Sequence, residues 1–237
     1  MRVLLLHAGI ADQRMWAPQV EALEAAGHTV LAPDLPGYGE APLVPPTVDY
    51  VEFAASRLGV PGAVVGCSFG GRVALELAAS RPHLVERLVL VAPGLQSTDW
   101  SEESQALFAE EEELVERGDL AGAGEQQARM WLAPDASEEV CRLTAAMTVR
   151  SYEQQLSLDG AVRTSWPEPS AETRLGELRQ PTLVVVGEGD RPELRSLAER
   201  VAEELPDARL ATIAGAGHLP SLERPGELNR LLLEFLQ

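Results

Sequence analysis

The sequence has few cysteines and few basic residues. Among 237 residues there are two cysteines, Cys67 and Cys141, which cannot build a disulfide framework, and no Cys/His cluster has zinc spacing. Lysine and arginine total 19 against 37 acidic residues, a net charge of −18. So few cations argue against binding to nucleic acid or to an anionic membrane. We therefore expect no metal, no nucleic acid and no membrane partner.

Long apolar stretches are also absent. No run approaches the roughly 20 residues that a membrane-spanning helix needs. The apolar run at residues 3–6 follows Arg2, but His7 and Asp12 interrupt it before it reaches the about 7–15 residues of a signal peptide. This run therefore predicts a buried strand, and a reduced, cytoplasmic protein is the default expectation.

Short apolar runs alternate with helical patterns along the chain, in which 45% of residues are hydrophobic. There are six such runs, at residues 3–6, 29–32, 63–66, 87–91, 182–186 and 209–213. Runs that are apolar on both faces and separated by helix-length segments are typical of a parallel sheet covered on both sides. The sequence thus predicts an α/β fold, with a mostly parallel sheet of about six strands and helices on both faces.

The interval between the fourth and fifth runs breaks this alternation, because it contains helical patterns and no convincing strand. Ser101 is placed to cap one helix and Ser137 another. A segment rich in proline and polar residues, 159–170, is interpreted as loose. The chain is therefore divided into an α/β core of residues 1–94 and 180–237 and a helical insertion of residues 95–179.

A candidate nucleophile lies between the third run and a helical pattern. Gly66-Cys67-Ser68-Phe69-Gly70 matches Gly-x-Ser-x-Gly, and the order strand, sharp turn, helix is what a nucleophile elbow requires. Glycine at both flanks avoids clashes in the turn, and the helix start offers N–H groups to a developing anion. Ser68 is the predicted nucleophile.

A serine hydroxyl needs a base, and four histidines are available. His218 is the best candidate because it follows the sixth run, at the carboxyl edge of the sheet where ligands bind. The acid that orients it is expected between serine and histidine in the chain. Asp190, just past the fifth run, is our choice, with Glu188 as the alternative.

Two backbone N–H groups are expected to bind the oxyanion. One belongs to Phe69, the residue after the nucleophile, and the other to the loop after the first strand. Small residues in that loop let its backbone approach the substrate. The second donor is therefore assigned to Gly9, with Ile10 as the alternative. His7 is expected to brace this loop.

Together these residues resemble the serine-nucleophile branch of the α/β-hydrolase superfamily over nearly the whole chain. The matching segments are His7-Ala8-Gly9, Asp34-Leu35-Pro36-Gly37-Tyr38-Gly39, the serine elbow, Gly187-Glu188-Gly189-Asp190, and Gly217-His218-Leu219-Pro220 with Glu223-Arg224-Pro225. Ala8 stands where the family usually has glycine, which resembles the branch of enol-lactonases and small carboxylesterases. The resemblance implies the α/β-hydrolase fold, with the insertion as a helical cap over the active site.

The resemblance also implies a cofactor-free serine hydrolase that forms an acyl-enzyme with small carboxylic esters, lactones or thioesters. Carbon–carbon bond hydrolysis, lyase chemistry and a non-enzymatic small-ligand receptor remain alternatives. Apolar walls of the pocket are predicted at Phe108, Met130, Trp131, Met147 and Trp166. The expected partner is a small molecule, and the expected state a monomer or homodimer. Acidic residues concentrated in the cap predict that anionic substrates are disfavoured.

Overall fold

A computed structural model describes residues 1–43, 47–156 and 162–237. Within these ranges the strands are β1 (Arg2–Leu6), β2 (Thr29–Leu31), β3 (Thr47–Asp49), β4 (Gly62–Cys67), β5 (Val85–Val91), β6 (Arg163–Ser165), β7 (Thr182–Gly187) and β8 (Ala208–Ile213). The helices are α1 (Ala17–Ala25), α2 (Tyr50–Leu58), α3 (Phe69–Ser80), α4 (Glu102–Glu116), α5 (Leu120–Trp131), α6 (Glu138–Leu156), α7 (Pro192–Glu204), α8 (Pro220–Glu223) and α9 (Pro225–Phe235).

The main sheet has six strands in the order β2-β1-β4-β5-β7-β8, and every neighbouring pair is parallel. Each of the six apolar runs forms one of these strands, which confirms the predicted parallel sheet. The strand order reverses at β1, since β2 lies on one side of it and β4 on the other. Loops at the carboxyl ends of β1 and β4 therefore flank a crevice where ligands bind in open α/β sheets.

Helices cover both faces of this sheet because successive side chains of each strand point to opposite sides. On β1, Leu4 and Leu6 pack into one apolar cluster, which includes side chains of α2, α3 and α7. Val3 and Leu5 pack into the other, with side chains of α1 and α9. No helix in the described ranges is both long and apolar enough to cross a membrane.

The insertion between β5 and β7 contains α4, α5 and α6, as the helical patterns predicted. Ser101 caps α4, and its side chain accepts a hydrogen bond from the N–H of Ser104. The expectation that this interval lacks a strand is wrong, because β6 pairs in parallel with β3 in a separate two-stranded sheet. All three residues of β6 are exposed, so no apolar pattern marked this strand.

Part of the segment interpreted as loose, residues 159–161, lies outside the described residues, and the rest includes β6. The division into core and cap at residues 94/95 and 179/180 stays a prediction. The name cap is kept below for residues 95–179.

Candidate active site

Ser68 lies in a sharp turn between β4 and α3. Its backbone has φ 51° and ψ −113°, a region that residues other than glycine rarely adopt. A Cβ atom on Gly66 would lie 2.2 Å from the carbonyl oxygen of Gly70, and one on Gly70 would lie 2.2 Å from that of Leu6. The flanking glycines are therefore required sterically. They allow the turn to present a half-buried serine above the sheet.

His218 and Asp190 form a buried pair at the same edge of the sheet. His218 Nδ1 lies 2.9 Å from Asp190 Oδ2, and Asp190 Oδ1 accepts a 2.7 Å hydrogen bond from the N–H of Arg191. Because an ionised carboxylate only accepts, Nδ1 is assigned as the donor, and in the neutral ring with this tautomer Nε2 is the acceptor. Glu188, the alternative acid, is exposed and accepts a 3.3 Å bond from Gly215 instead.

The elbow and the histidine loop lie against each other. Cys67, which precedes Ser68, has its Sγ 3.8 Å from the carbonyl oxygen of His218. Ser68, Asp190 and His218 follow β4, β7 and β8 respectively, and the carboxyl ends of parallel strands share one edge. This arrangement can carry a serine nucleophile, a neutral imidazole base and a carboxylate that orients it.

The predicted oxyanion donors also lie together. A Cβ atom on Gly9 would lie 3.5 Å from the Cβ of Phe69, so the loop after β1 touches the start of α3. Within the described part of the chain, no group accepts a hydrogen bond from the N–H of Gly9, Ile10 or Phe69. All three residues are half-buried. These N–H groups are available to an anion, as an oxyanion hole requires.

His7 braces this loop rather than facing the serine. It is fully buried, its Nε2 accepts a 2.9 Å bond from Leu35, and its Nδ1 donates to the carbonyl of Ala8 at 2.8 Å. Burial lowers the pKa of His7, which favours the neutral ring that this pair of bonds needs. Thr148 of α6 donates a 2.9 Å bond to the carbonyl of Ile10 and ties the cap to the same loop.

Aromatic side chains of the cap contact both halves of the site. The ring centroids of Trp131 and His218 lie 4.6 Å apart, and those of Phe108 and Trp131 lie 6.2 Å apart. Trp166 lies 6.0 Å from Phe69. Two of the five predicted wall residues, Trp131 and Trp166, therefore contact the proposed base and the proposed oxyanion donor, and Phe108 packs against Trp131.

The two methionines are placed differently. Met147 is fully buried with Ala128 and Leu132 in an apolar cluster, so it packs the interior rather than lining an accessible wall. Met130 is also buried, in the cluster on the other face of the sheet. Helical spacing alone does not distinguish a core methionine from a pocket methionine.

Other residues near the site were missed in the sequence. The ring centroid of Phe69 lies 4.9 Å from that of Tyr50 and 6.0 Å from that of Tyr38. The ring centroids of Trp100 and Trp131 lie 6.0 Å apart. Tyr38 lies inside the quoted Gly-Tyr-Gly turn, which was the available signal for it. Tyr50 and Trp100 reach the site through tertiary packing, for which the sequence has no local signal.

Known proteins match this chain over nearly its whole length. A family model described as the alpha/beta hydrolase family matches residues 3–231. The pimeloyl-[acyl-carrier protein] methyl ester esterase of Aromatoleum aromaticum is 29% identical over 99% of this chain and 98% of its own length. The 2-hydroxy-6-oxononadienedioate/2-hydroxy-6-oxononatrienedioate hydrolase of Cupriavidus pinatubonensis is 28% identical over 99% of this chain and 86% of its own length.

Solved structures lead to the same family. A thermophilic esterase from Thermogutta terrifontis, with malate bound, superposes with a TM-score of 0.80 at 26% identity and covers 100% of this chain and 89% of its own. An esterase from Exiguobacterium antarcticum shares the fold, with a TM-score of 0.80 at 18% identity. The match covers 100% of this chain and 91% of the esterase. With a family model matched from residue 3 to residue 231 and the six-stranded parallel sheet in place, this chain belongs to the alpha/beta hydrolase family.

Proposed function

We propose that this protein is a cofactor-free serine hydrolase that cleaves small carboxylic esters, lactones or thioesters. The observation that carries the proposal is the buried His218–Asp190 pair at the sheet edge where Ser68 stands in a strained elbow. Relatives and a structural neighbour at 26–29% identity are named as esterases, which supports ester hydrolysis over other hydrolytic chemistry. The small-molecule substrate is likewise proposed.

The proposed reaction begins when Ser68 Oγ attacks the acyl carbon while His218 Nε2 accepts the hydroxyl proton. The tetrahedral oxyanion accepts hydrogen bonds from the N–H groups of Phe69 and Gly9, aided by the positive end of the α3 dipole. When the intermediate collapses, His218 returns the proton to the departing alcohol and leaves an acyl-enzyme. Water then repeats the sequence and releases the acid.

Asp190 has two tasks in this scheme. It holds the imidazole so that the protonated nitrogen faces the carboxylate, and it stabilises the imidazolium formed in each half-reaction. Its second oxygen is fixed by the N–H of Arg191, so the carboxylate has one orientation. Trp131 covers the ring of His218 and helps to exclude water from the pair.

The test is the Ser68→Ala variant, assayed against esters of increasing acyl length, lactones and thioesters. Turnover of the preferred substrate should fall by about 10⁴-fold or more, because no nucleophile remains. Ser196→Ala removes an exposed hydroxyl from α7 and is the matched control, with activity expected unchanged. A fluorophosphonate should label the wild-type protein and Ser196→Ala, but not Ser68→Ala. Equal esterase activity in all three proteins would contradict the proposal.

A second candidate is hydrolysis of the dioate substrate named for the Cupriavidus pinatubonensis relative. The same serine, base and oxyanion donors would serve it, but a dioate carries two negative charges. A chain with net charge −18 and an acidic cap disfavours such a ligand electrostatically. Turnover of a dioate above that of every neutral ester in the panel would favour this candidate.

A further inference from the structure

A buried carboxylate stands behind the histidine loop, on the short helix α8. Glu223 is 8% exposed and belongs to no ion pair within the described residues. Neighbouring Arg224 directs its guanidinium to the backbone carbonyl of Glu223 and to Asp135, not to the carboxylate. A buried charge without a counter-ion is costly unless several hydrogen bonds stabilise it.

Three backbone N–H groups supply those bonds. Glu223 Oε2 accepts from Gly217 at 3.0 Å and from Ala133 at 2.7 Å, and Oε1 accepts from Leu219 at 3.0 Å. Gly217 and Leu219 are the two neighbours of His218 in the chain, and Ala133 belongs to the cap. The carboxylate therefore fixes the backbone on both sides of the proposed base and joins that loop to the cap.

The cap completes the arrangement from the opposite side. The N–H of His218 itself donates a 2.8 Å bond to the carbonyl of Trp131, whose ring lies over the imidazole. Three consecutive N–H groups, of residues 217–219, thus all have fixed acceptors. This leaves the histidine backbone little freedom, although it lies in a loop.

We propose that Glu223 is a positioning residue for the serine hydrolase reaction, which holds His218 in register with Asp190 and couples its loop to the cap. The inference rests on the proposed function. Glutamine has nearly the same shape but only one acceptor oxygen, and its NH₂ group would face an N–H donor. In Glu223→Gln at least one of the three N–H groups therefore loses its acceptor.

The expected result for Glu223→Gln is a split between the kinetic constants. Turnover should fall roughly 10- to 100-fold, because a small displacement of His218 lowers the rate of the chemical step. KM should stay within about threefold of the wild-type value. Fluorophosphonate labelling of Ser68 should slow by a similar factor. The low-field proton resonance of the His218–Asp190 bond should shift or broaden.

The matched control is Glu227→Gln, which removes an equal charge from an exposed position in the first turn of α9. It should leave kcat, labelling and the resonance unchanged. If Glu223→Gln behaves like Glu227→Gln while wild type is active and Ser68→Ala is not, the positioning role is wrong and the proposed function stands.

Should Glu223→Gln fail to fold, amide hydrogen exchange of the wild-type protein provides the answer. Gly217, His218 and Leu219 should exchange far more slowly than exposed loop amides, and exchange at loop rates would overturn the proposal. This measurement does not depend on catalysis, so it tests the backbone hydrogen bonds to Glu223 and Trp131 even if the wild type hydrolyses no ester.

Discussion

At the scale of single residues, the site depends on the absence of side chains at Gly66 and Gly70 as much as on the groups proposed to react. Ser68 adopts a positive φ, and the backbone of β1 and α3 passes too close to the turn for a side chain at Gly66 or Gly70. The strain in such a residue is worth about 1–3 kcal/mol and persists only where the surroundings enforce it. Here the enforcing contacts are backbone atoms, which cannot move aside as a side chain could.

Gly70→Ala should therefore disrupt the elbow. Its Cβ would lie 2.2 Å from the carbonyl oxygen of Leu6 and 2.6 Å from that of His7, so the strand and helix must separate. We expect a loss of about 2–4 kcal/mol in the free energy of unfolding, together with most of the esterase activity. Chemical denaturation and an ester assay measure the two effects.

The control for this change is Gly226→Ala in the first turn of α9. A Cβ there meets nothing within 4 Å, and the backbone has no positive φ. Stability should stay unchanged or rise by up to about 1 kcal/mol. Equal stability of the two variants would show that close packing does not require glycine at the elbow.

At the scale of elements, the cap is fastened to the loop that carries the proposed acid. Glu193, at the start of α7, accepts a 2.9 Å bond from the N–H of Ser101 and a 2.8 Å bond from Ser104 Oγ. Arg191 donates to the same Ser104 Oγ at 2.9 Å and follows Asp190 directly. The first turn of α4 is thus held against the segment that carries Asp190, the proposed acid.

Glu193→Gln should loosen this contact in a pH-dependent way. Burial raises the pKa of Glu193, but hydrogen bonds from Ser101 and Ser104 outweigh it and lower the pKa to about 2. A carboxylate with a depressed folded pKa stabilises the native state above its ordinary pKa, near 4.5. That stabilisation is lost as pH falls from there toward 2.

Thermal unfolding from pH 7 to pH 3 checks this expectation. Wild type should exceed Glu193→Gln in Tm at neutral pH, and the gap should narrow below about pH 4.5. Glu199→Gln, on an exposed position of the same helix, is the comparison and should follow wild type throughout. A gap that is constant with pH would mean that the charge of Glu193 does not stabilise the contact.

At the scale of the whole molecule, charge and topology set different properties. The parallel order of the sheet brings residues distant in the chain to one edge, whereas the net charge of −18 acts on whatever approaches it. Many acidic residues of the cap are exposed to solvent, while Trp131 and Trp166 of the cap contact His218 and Phe69. The exposed carboxylates of the cap include Glu102, Glu103, Glu110, Glu112, Glu113, Glu116, Glu138 and Glu139.

This distribution predicts discrimination against anionic substrates. At low salt, p-nitrophenyl acetate should be hydrolysed with a higher kcat/KM than a p-nitrophenyl ester that bears a free carboxylate. Added salt should narrow the difference, since the Debye length falls to about 8 Å at physiological ionic strength. The neutral ester serves as the control for non-specific salt effects. A preference for the anionic ester at low salt would refute the prediction.

Much of the site was predictable because its signals are local. The strand, serine turn and helix are continuous in the chain, and the carboxyl ends of parallel strands must share an edge, so Asp190 and His218 could be named. Which of two nearby acids reaches the histidine was open, and burial decides for Asp190 over Glu188.

The sequence by itself determined the parallel sheet, the helical insertion and the serine elbow, because periodicity, capping and glycine turns act between residues close in the chain. Only the tertiary structure revealed the pairing of β3 with β6, the burial of Met147, the contact between the rings of Trp131 and His218 and the contacts of Glu223. Each of these joins segments that are far apart in the chain or depends on which side of a helix faces the core. Packing of the complete fold, and not local pattern, sets such contacts.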